Sequence, residues 1–261
     1  MILSRLMKAV REQNWFAVAL EFIIVILGVV IGFQVTAWNE SRARDQRAAL
    51  MMTQLAADLE AERWRIAATT AHYDGVTDEA QLVLDAVSGR LDLPDHALVI
   101  KAFRGTQYFW AGVIRSTYDE LVASGEIALI PQGTFRDAAI EYYNSSPRSL
   151  LTEPRRTPFR DAMRQRISPE LHAALVENCA ENPNIGIGDF SALQNFIDFP
   201  CEVDGFDEEI TSLATLLRQD EHLIGLLRWR IIESQQDMTN LIYFRALLDR
   251  ARLASPAVAT Q

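Results

Sequence analysis

Apolar residues follow two different rules along this chain. Before Trp38 they fall on every side of a helix. Phe22–Phe33 is an unbroken run of twelve apolar residues and glycines, and only Glu21, Gln34 and Thr36 interrupt the longer stretch from Phe16 to Ala37. At a rise of about 1.5 Å per residue, Trp15–Trp38 crosses a hydrocarbon layer of roughly 30 Å with some tilt. Trp15 and Trp38 then sit at the two headgroup levels, where amphipathic rings are enriched. Beyond Trp38 the apolar positions narrow to a stripe. Met52, Leu55, Leu59, Ile66 and Tyr73 share a heptad seam whose other positions are Glu62 and Thr69. An interrupted seam suits packing inside a bundle better than a long two-stranded coiled coil.

The punctuation predicts an all-α protein. From Trp15 to Tyr73 there is no proline, and the only glycines lie in the apolar run. The membrane helix is therefore expected to continue outward as a stalk, to bend at Asp74-Gly75, and to be followed by a second stretch over Thr77–Val87 that Ser88-Gly89 ends. After Pro94 come shorter helices. Ser116-Thr117-Tyr118-Asp119 and Thr134-Phe135-Arg136-Asp137 resemble capping boxes with Asp in place of Glu or Gln, and Ser168-Pro169-Glu170 reads as a cap with proline at the first helical position. Phe206–Leu253 carries a broad apolar stripe, including Leu213, Leu223, Leu227, Ile231, Leu241 and Leu248, and predicts one long helix. The expected organisation is a cytoplasmic tail (1–14), a transmembrane helix (15–38), an extracytoplasmic helical bundle (39–253) with a loop region at 179–201, and a disordered tail (254–261).

A cleaved secretory signal, with Val35-Thr36-Ala37 as the cleavage site, is the rival to a permanent anchor. It fits less well, because the segment before Phe22 is long and itself largely apolar and the sequence beyond Ala37 reads as uninterrupted helix. Arg5, Lys8 and Arg11 before the span balance Arg42, Arg44 and Arg47 after it, so the positive-inside rule alone gives a tie. A short cationic tail is easier to retain than to translocate, which puts the bulk of the chain outside the cytoplasm of a bacterial inner membrane. The chain has two cysteines, Cys179 and Cys201. A bridge between them would close a loop of about 23 residues, contributing roughly 3 kcal/mol in the chain-entropy model. Such a bridge suits an oxidising compartment; the alternative is two unrelated buried thiols.

Charge narrows the function classes. The net charge is −10, and the residues after Trp38 carry −11 of it, which argues against nucleic acid as a partner. His72, His96, His172 and His222 are scattered without metal-ligand spacing, and neither a nucleophile elbow nor a phosphate loop occurs. No catalytic residue, metal site or cofactor is therefore expected. Two features suggest association instead. Glu21, Gly28 and Gly32 share a helix face with Val25, and Gly28-x-x-x-Gly32 lets two helices approach closely; a carboxylate there faces protein or water, or reaches the headgroups. Separately, Arg148, Arg155, Arg156, Arg160, Arg164 and Arg166 stand against only Glu153 and Asp161. Arg156, Arg160 and Arg164 would share a helix face able to hold an anion or an acidic partner, or pair internally with the acidic remainder.

Two stretches together resemble a known family. EFIIVILGVVIGFQVTAWNESRARD (Glu21–Asp45) is similar to the opening of a bacterial family of uncharacterised single-pass membrane proteins, a domain of unknown function whose apolar span exits through a Gln-x-x-x-Trp-Asn-Glu motif. STYDELVASGEIALIPQGTFRDAAIEYY (Ser116–Tyr143) is similar to that family's central segment. The resemblance covers the anchor and one central block, about a fifth of the chain. It implies a helical extracytoplasmic domain on a permanent anchor, and it transfers no catalytic residue. The function expected is that of a non-enzymatic scaffold or accessory subunit of an envelope complex. Its partners would be the lipid bilayer and either a membrane protein or a second copy. The alternative is a ligand-sensing module acting through a partner.

Overall fold

A computed structural model describes residues 15–109, 112–145, 157–180, 185–186, 188–197 and 199–255. The chain is all-helical, with eight α-helices and no strand among the described residues. They are α1 (Trp15–Val87), α2 (Asp95–Gly105), α3 (Ser116–Ala123), α4 (Thr134–Asn144), α5 (Pro158–Arg164), α6 (Pro169–Cys179), α7 (Asp207–Gln219) and α8 (Glu221–Leu253). Short 3-10 turns occur at Glu126–Leu129 and Ser191–Asn195. The chain divides into two units, Met1–Met52 and Thr53–Gln261. Of the tails expected at 1–14 and 254–261, residues 1–14 and 256–261 lie outside the described residues; Ala254 and Ser255 are instead held against the end of α8, where Ser255 N donates to Arg252 O at 3.0 Å and Ser255 is buried.

In the first unit, α1 is long and apolar enough to cross a membrane, with an 18-residue stretch of mean hydropathy 2.3 of which none is buried. Phe22 and Phe33 are 67% and 74% exposed. Thr36 Oγ1 donates back to Gly32 O at 3.0 Å, so its hydroxyl is satisfied within the helix. The Arg42 guanidinium lies over the Trp38 ring, 5.5 Å from its centroid.

In the second unit α1 obeys the heptad seam. Leu55, Leu59, Glu62, Ile66, Thr69 and Tyr73 are all buried, the polar members as completely as the apolar ones. The bend expected at Asp74-Gly75 does not occur; α1 runs on to Val87. Gly75 serves close packing instead, since a Cβ there would stand 3.3 Å from Ile197 Cβ. Gly89 follows the helix end with φ +73°, the left-handed conformation glycine tolerates.

Among the apolar clusters of this unit are a large one and a small one. The larger joins Ala80 and Val83 of α1 to Leu98 and Phe103 of α2, Phe159 and Met163 of α5, Leu171 and Leu175 of α6, Ile210, Leu213 and Leu217 of α7, and Leu223, Leu227 and Ile231 of α8. The smaller packs Leu193, Phe196 and Ile197 onto Trp64, Ala68 and Val76 of α1, with Trp64 Nε1 donating to Asp189 O at 3.2 Å. α4 lies along α8, fastened where Glu141 accepts from Tyr243 at 2.8 Å and from Arg250.

Helix starts separate propensity from context. Ser168 caps α6 as its sequence predicts, accepting from Leu171 N at 3.1 Å ahead of Pro169. Ser116 and Thr134 are instead the first helical residues of α3 and α4, without side-chain caps. Carboxylates of α1 take over at α3: Thr117 N donates to Asp58 at 3.2 Å and Ile114 N to Glu62 at 2.7 Å. The single helix expected over Phe206–Leu253 is two, because Asp220 is extended (φ −84°, ψ 96°) and its carboxylate accepts from His222 N and Leu223 N to cap α8.

Candidate functional site

The chain offers three groups of residues to weigh: a membrane-helix face, an arginine cluster and a cysteine pair. On the first unit's helix, Glu21, Gly28 and Gly32 are exposed, and a Cβ built on either glycine would meet no atom within 4 Å. The face is therefore open to close approach by another helix.

The arginines separate. Arg148, Arg155 and Arg156 lie outside the described residues, and α5 begins only at Pro158. Arg164 is exposed, whereas Arg160 is 4% exposed and points inward. Arg160 and Arg164 therefore do not form one solvent-facing stripe. Arg160 Nη1 donates to Thr106 O at 2.6 Å, and its guanidinium stacks 4.6 Å from the Tyr108 ring centroid. Burial, then the nearby cations Arg164 and Arg230, lower its pKa to about 10.

Cys179 and Cys201 are bridged, with their Cα atoms 5.4 Å apart. Arg104 organises this corner. Its Nε donates to Cys179 O at 3.0 Å and Nη2 to Phe199 O at 2.7 Å, while Nη2 also lies 3.4 Å from Cys201 Sγ. Glu79 of α1 completes it, accepting from Arg104 at 3.3 Å and from Lys101 at 2.8 Å. An arginine late in α2 thus satisfies the last carbonyl of α6, the orphan that a helix C-terminus leaves.

The histidines are dispersed. His72 is buried among Tyr73, Phe109 and Phe196, with ring centroids 5.3–5.6 Å away. Burial, reinforced by the Arg230 cation, lowers its pKa to about 3, so it is neutral at physiological pH. His96 meets Asp207 at 2.9 Å on the surface beside a shallow hollow of about 530 Å³, lined by Asp207, Glu208, Thr211, Ser212 and Thr215. Among the described residues, no three His, Cys, Asp or Glu side chains gather as a metal would require.

Two buried polar groupings escaped the sequence. In one, Glu62 accepts from Arg65 Nε at 2.9 Å and Nη2 at 2.6 Å, from Ile114 N, and from Tyr142 OH. Both charged residues are essentially inaccessible, and burial raises the Tyr142 pKa, so the phenol stays a donor. Tyr143 stacks on Tyr118 at 4.6 Å and donates to Ile114 O at 3.0 Å. In the other, Arg230 of α8 is 1% exposed and donates through Nε to Gly105 O at 3.2 Å and through Nη2 to Gln107 O at 3.0 Å. Arg230 belongs to no motif. Its signal was its place, on the apolar stripe between Leu227 and Ile231.

Comparison with family models, with curated proteins and with solved structures finds no match to this chain.

Proposed function

We propose that this is a single-pass inner-membrane protein whose second unit lies on the extracytoplasmic side and acts by association, as a scaffold or accessory subunit of an envelope complex. The observation that carries the reading is the fully exposed apolar length of α1. Leaving some twenty apolar residues in water would be costly at about 25 cal/mol per Å², so a lipid environment is its natural solvent. The Cys179–Cys201 bridge favours an oxidising compartment for the second unit. The resemblance of Glu21–Asp45 and Ser116–Tyr143 to a single-pass family supports the same arrangement.

The mode of association follows from the open face at Gly28 and Gly32. In a parallel pair of identical helices Glu21 would meet its own copy, which sets like groups against each other. A partner helix offering a cation or a hydrogen-bond donor at that depth meets no such conflict, which favours a different membrane protein as the neighbour. Crosslinking in intact membranes from a residue beside Gly32 tests this. A heteromeric adduct that Gly28→Ile abolishes is expected; recovery of monomer alone would contradict it.

A further inference from the structure

The end of α2 is gripped by two arginines from distant parts of the chain. Its last residues and the next two present three successive carbonyls, Gly105 O, Thr106 O and Gln107 O. Arg230 of α8 takes the first and third, and Arg160 of α5 takes the second. Both guanidiniums are therefore held within a residue or two of each other, where α5 packs on α8. Basic groups at a helix C-terminus are favourable, but this task uses only part of their capacity.

Each guanidinium carries five N–H donors in a fixed fork. Arg160 Nε and Arg230 Nη1 are buried and have no hydrogen-bond partner among the described residues. Thr157 Oγ1 is in the same condition. Thr157 is the residue before α5 and its hydroxyl does not cap the helix, so it shares a side with Arg160 three residues on. The counter-charge is uneven. Glu233 and Asp237 of α8 act on Arg230 through space, yet no carboxylate of a described residue reaches either arginine within 4 Å. Glu233 is engaged at the rim, accepting from Trp229 Nε1 at 2.6 Å. Asp161, the acid next to Arg160, is exposed on the outer side of α5. Taking a guanidinium out of water without a contacting counter-ion is costly.

We propose that Arg160, Arg230 and Thr157 form an internal binding site for a small oxyanion, such as a phosphate or a carboxylate. The anion would accept from Arg160 Nε, Arg230 Nη1 and the Thr157 hydroxyl, leaving the three carbonyl contacts intact. Neutral ligands are disfavoured because they leave Arg160 uncompensated, and cations are repelled by both guanidiniums.

The test uses the full chain in detergent micelles. Thermal unfolding is followed while inorganic phosphate, or in a second arm acetate, replaces chloride at constant ionic strength. A saturable rise in Tm with either anion is expected, and the arm that responds identifies a tetrahedral or a planar ligand. Thr157→Val keeps shape and removes one donor; it should weaken apparent affinity about tenfold, the loss of a hydrogen bond to a charged group. Arg160→Met, which retains the length of the side chain, should abolish the response. A Tm that is the same in chloride, phosphate and acetate would overturn the proposal. So would a rise that Thr157→Val and Arg160→Met both leave unchanged, which would mark a general salt effect only.

Discussion

The same helix solves two opposite problems in its two parts. From Leu20 to Trp38, α1 is apolar on nearly every side and exposed throughout; from Leu55 to Tyr73 it is apolar along one seam and that seam is buried, Glu62 and Thr69 included. The first part is long and apolar enough to suit a solvent that is itself apolar. The second part brings its own, by packing α2, α4, α7, α8 and the residues around the Ser191–Asn195 turn into one unit. The difference shows why a mean hydropathy near zero for the whole chain conceals the decisive property, which is where the apolar positions lie.

The sharpest way to break this contrast is to put charge in the first part. Val29→Arg combined with Val30→Arg costs roughly 5–7 kcal/mol of insertion free energy at the centre of a spanning helix. The variant should leave the membrane fraction, whereas Arg at the already exposed Val122 of α3 should not change fractionation.

Within the second part, the buried Glu62–Arg65 pair is the most sensitive point. Arg65→Met leaves Glu62 uncompensated and should lower unfolding free energy by about 3–5 kcal/mol, with Glu62→Leu added in the double variant restoring most of it. Chemical denaturation measures both. Cys179→Ser should cost about 3 kcal/mol, because the bridge spans 22 positions and restrains the unfolded chain. Reduction of the native protein should give the same loss.

Acid weakens the second part. The folded pKa of His72 is depressed to about 3 from an ordinary 6.5. Its contribution is therefore complete above pH 6.5 and is lost as pH falls toward 3, since the unfolded chain takes up the proton first. By pH 5 the loss amounts to about 2 kcal/mol. Comparing urea midpoints at pH 7 and pH 5 for the native chain and His72→Phe checks it; the variant should lose this part of the acid sensitivity. The smallest effect expected is Ser168→Ala, about 1 kcal/mol for a lost cap, read as a shift in denaturant midpoint.

Much of this fold was legible because local signals agreed with their surroundings. The apolar run, the seam at Leu55, Leu59, Ile66 and Tyr73, and the Ser168-Pro169 cap each specify their element without help. Asp74-Gly75 misled because the glycine answers to Ile197, more than a hundred residues away, rather than to a turn. Asp220 was hidden inside a continuous apolar stripe, although aspartate is a natural cap and breaks that stripe into α7 and α8. The arginines were the least legible. Arg160 reads as part of a basic surface until Thr106, just past the end of α2, supplies the carbonyl that draws it inward, and Arg230 reads as an interruption of a core stripe. A buried cation is recognisable only with its partners, and these come from elsewhere in the chain. Should phosphate or acetate stabilise the protein through these two arginines, the ligand-sensing alternative gains over the pure scaffold.

The central claim is that the apolar length of α1 stays in lipid and holds the helical unit there. Membranes from expressing cells, washed in high salt and in alkaline carbonate and then analysed for intact mass, test it most directly. The full chain should remain in the pellet and come out only with detergent. A mature species beginning at Trp38 and released by salt alone would contradict it.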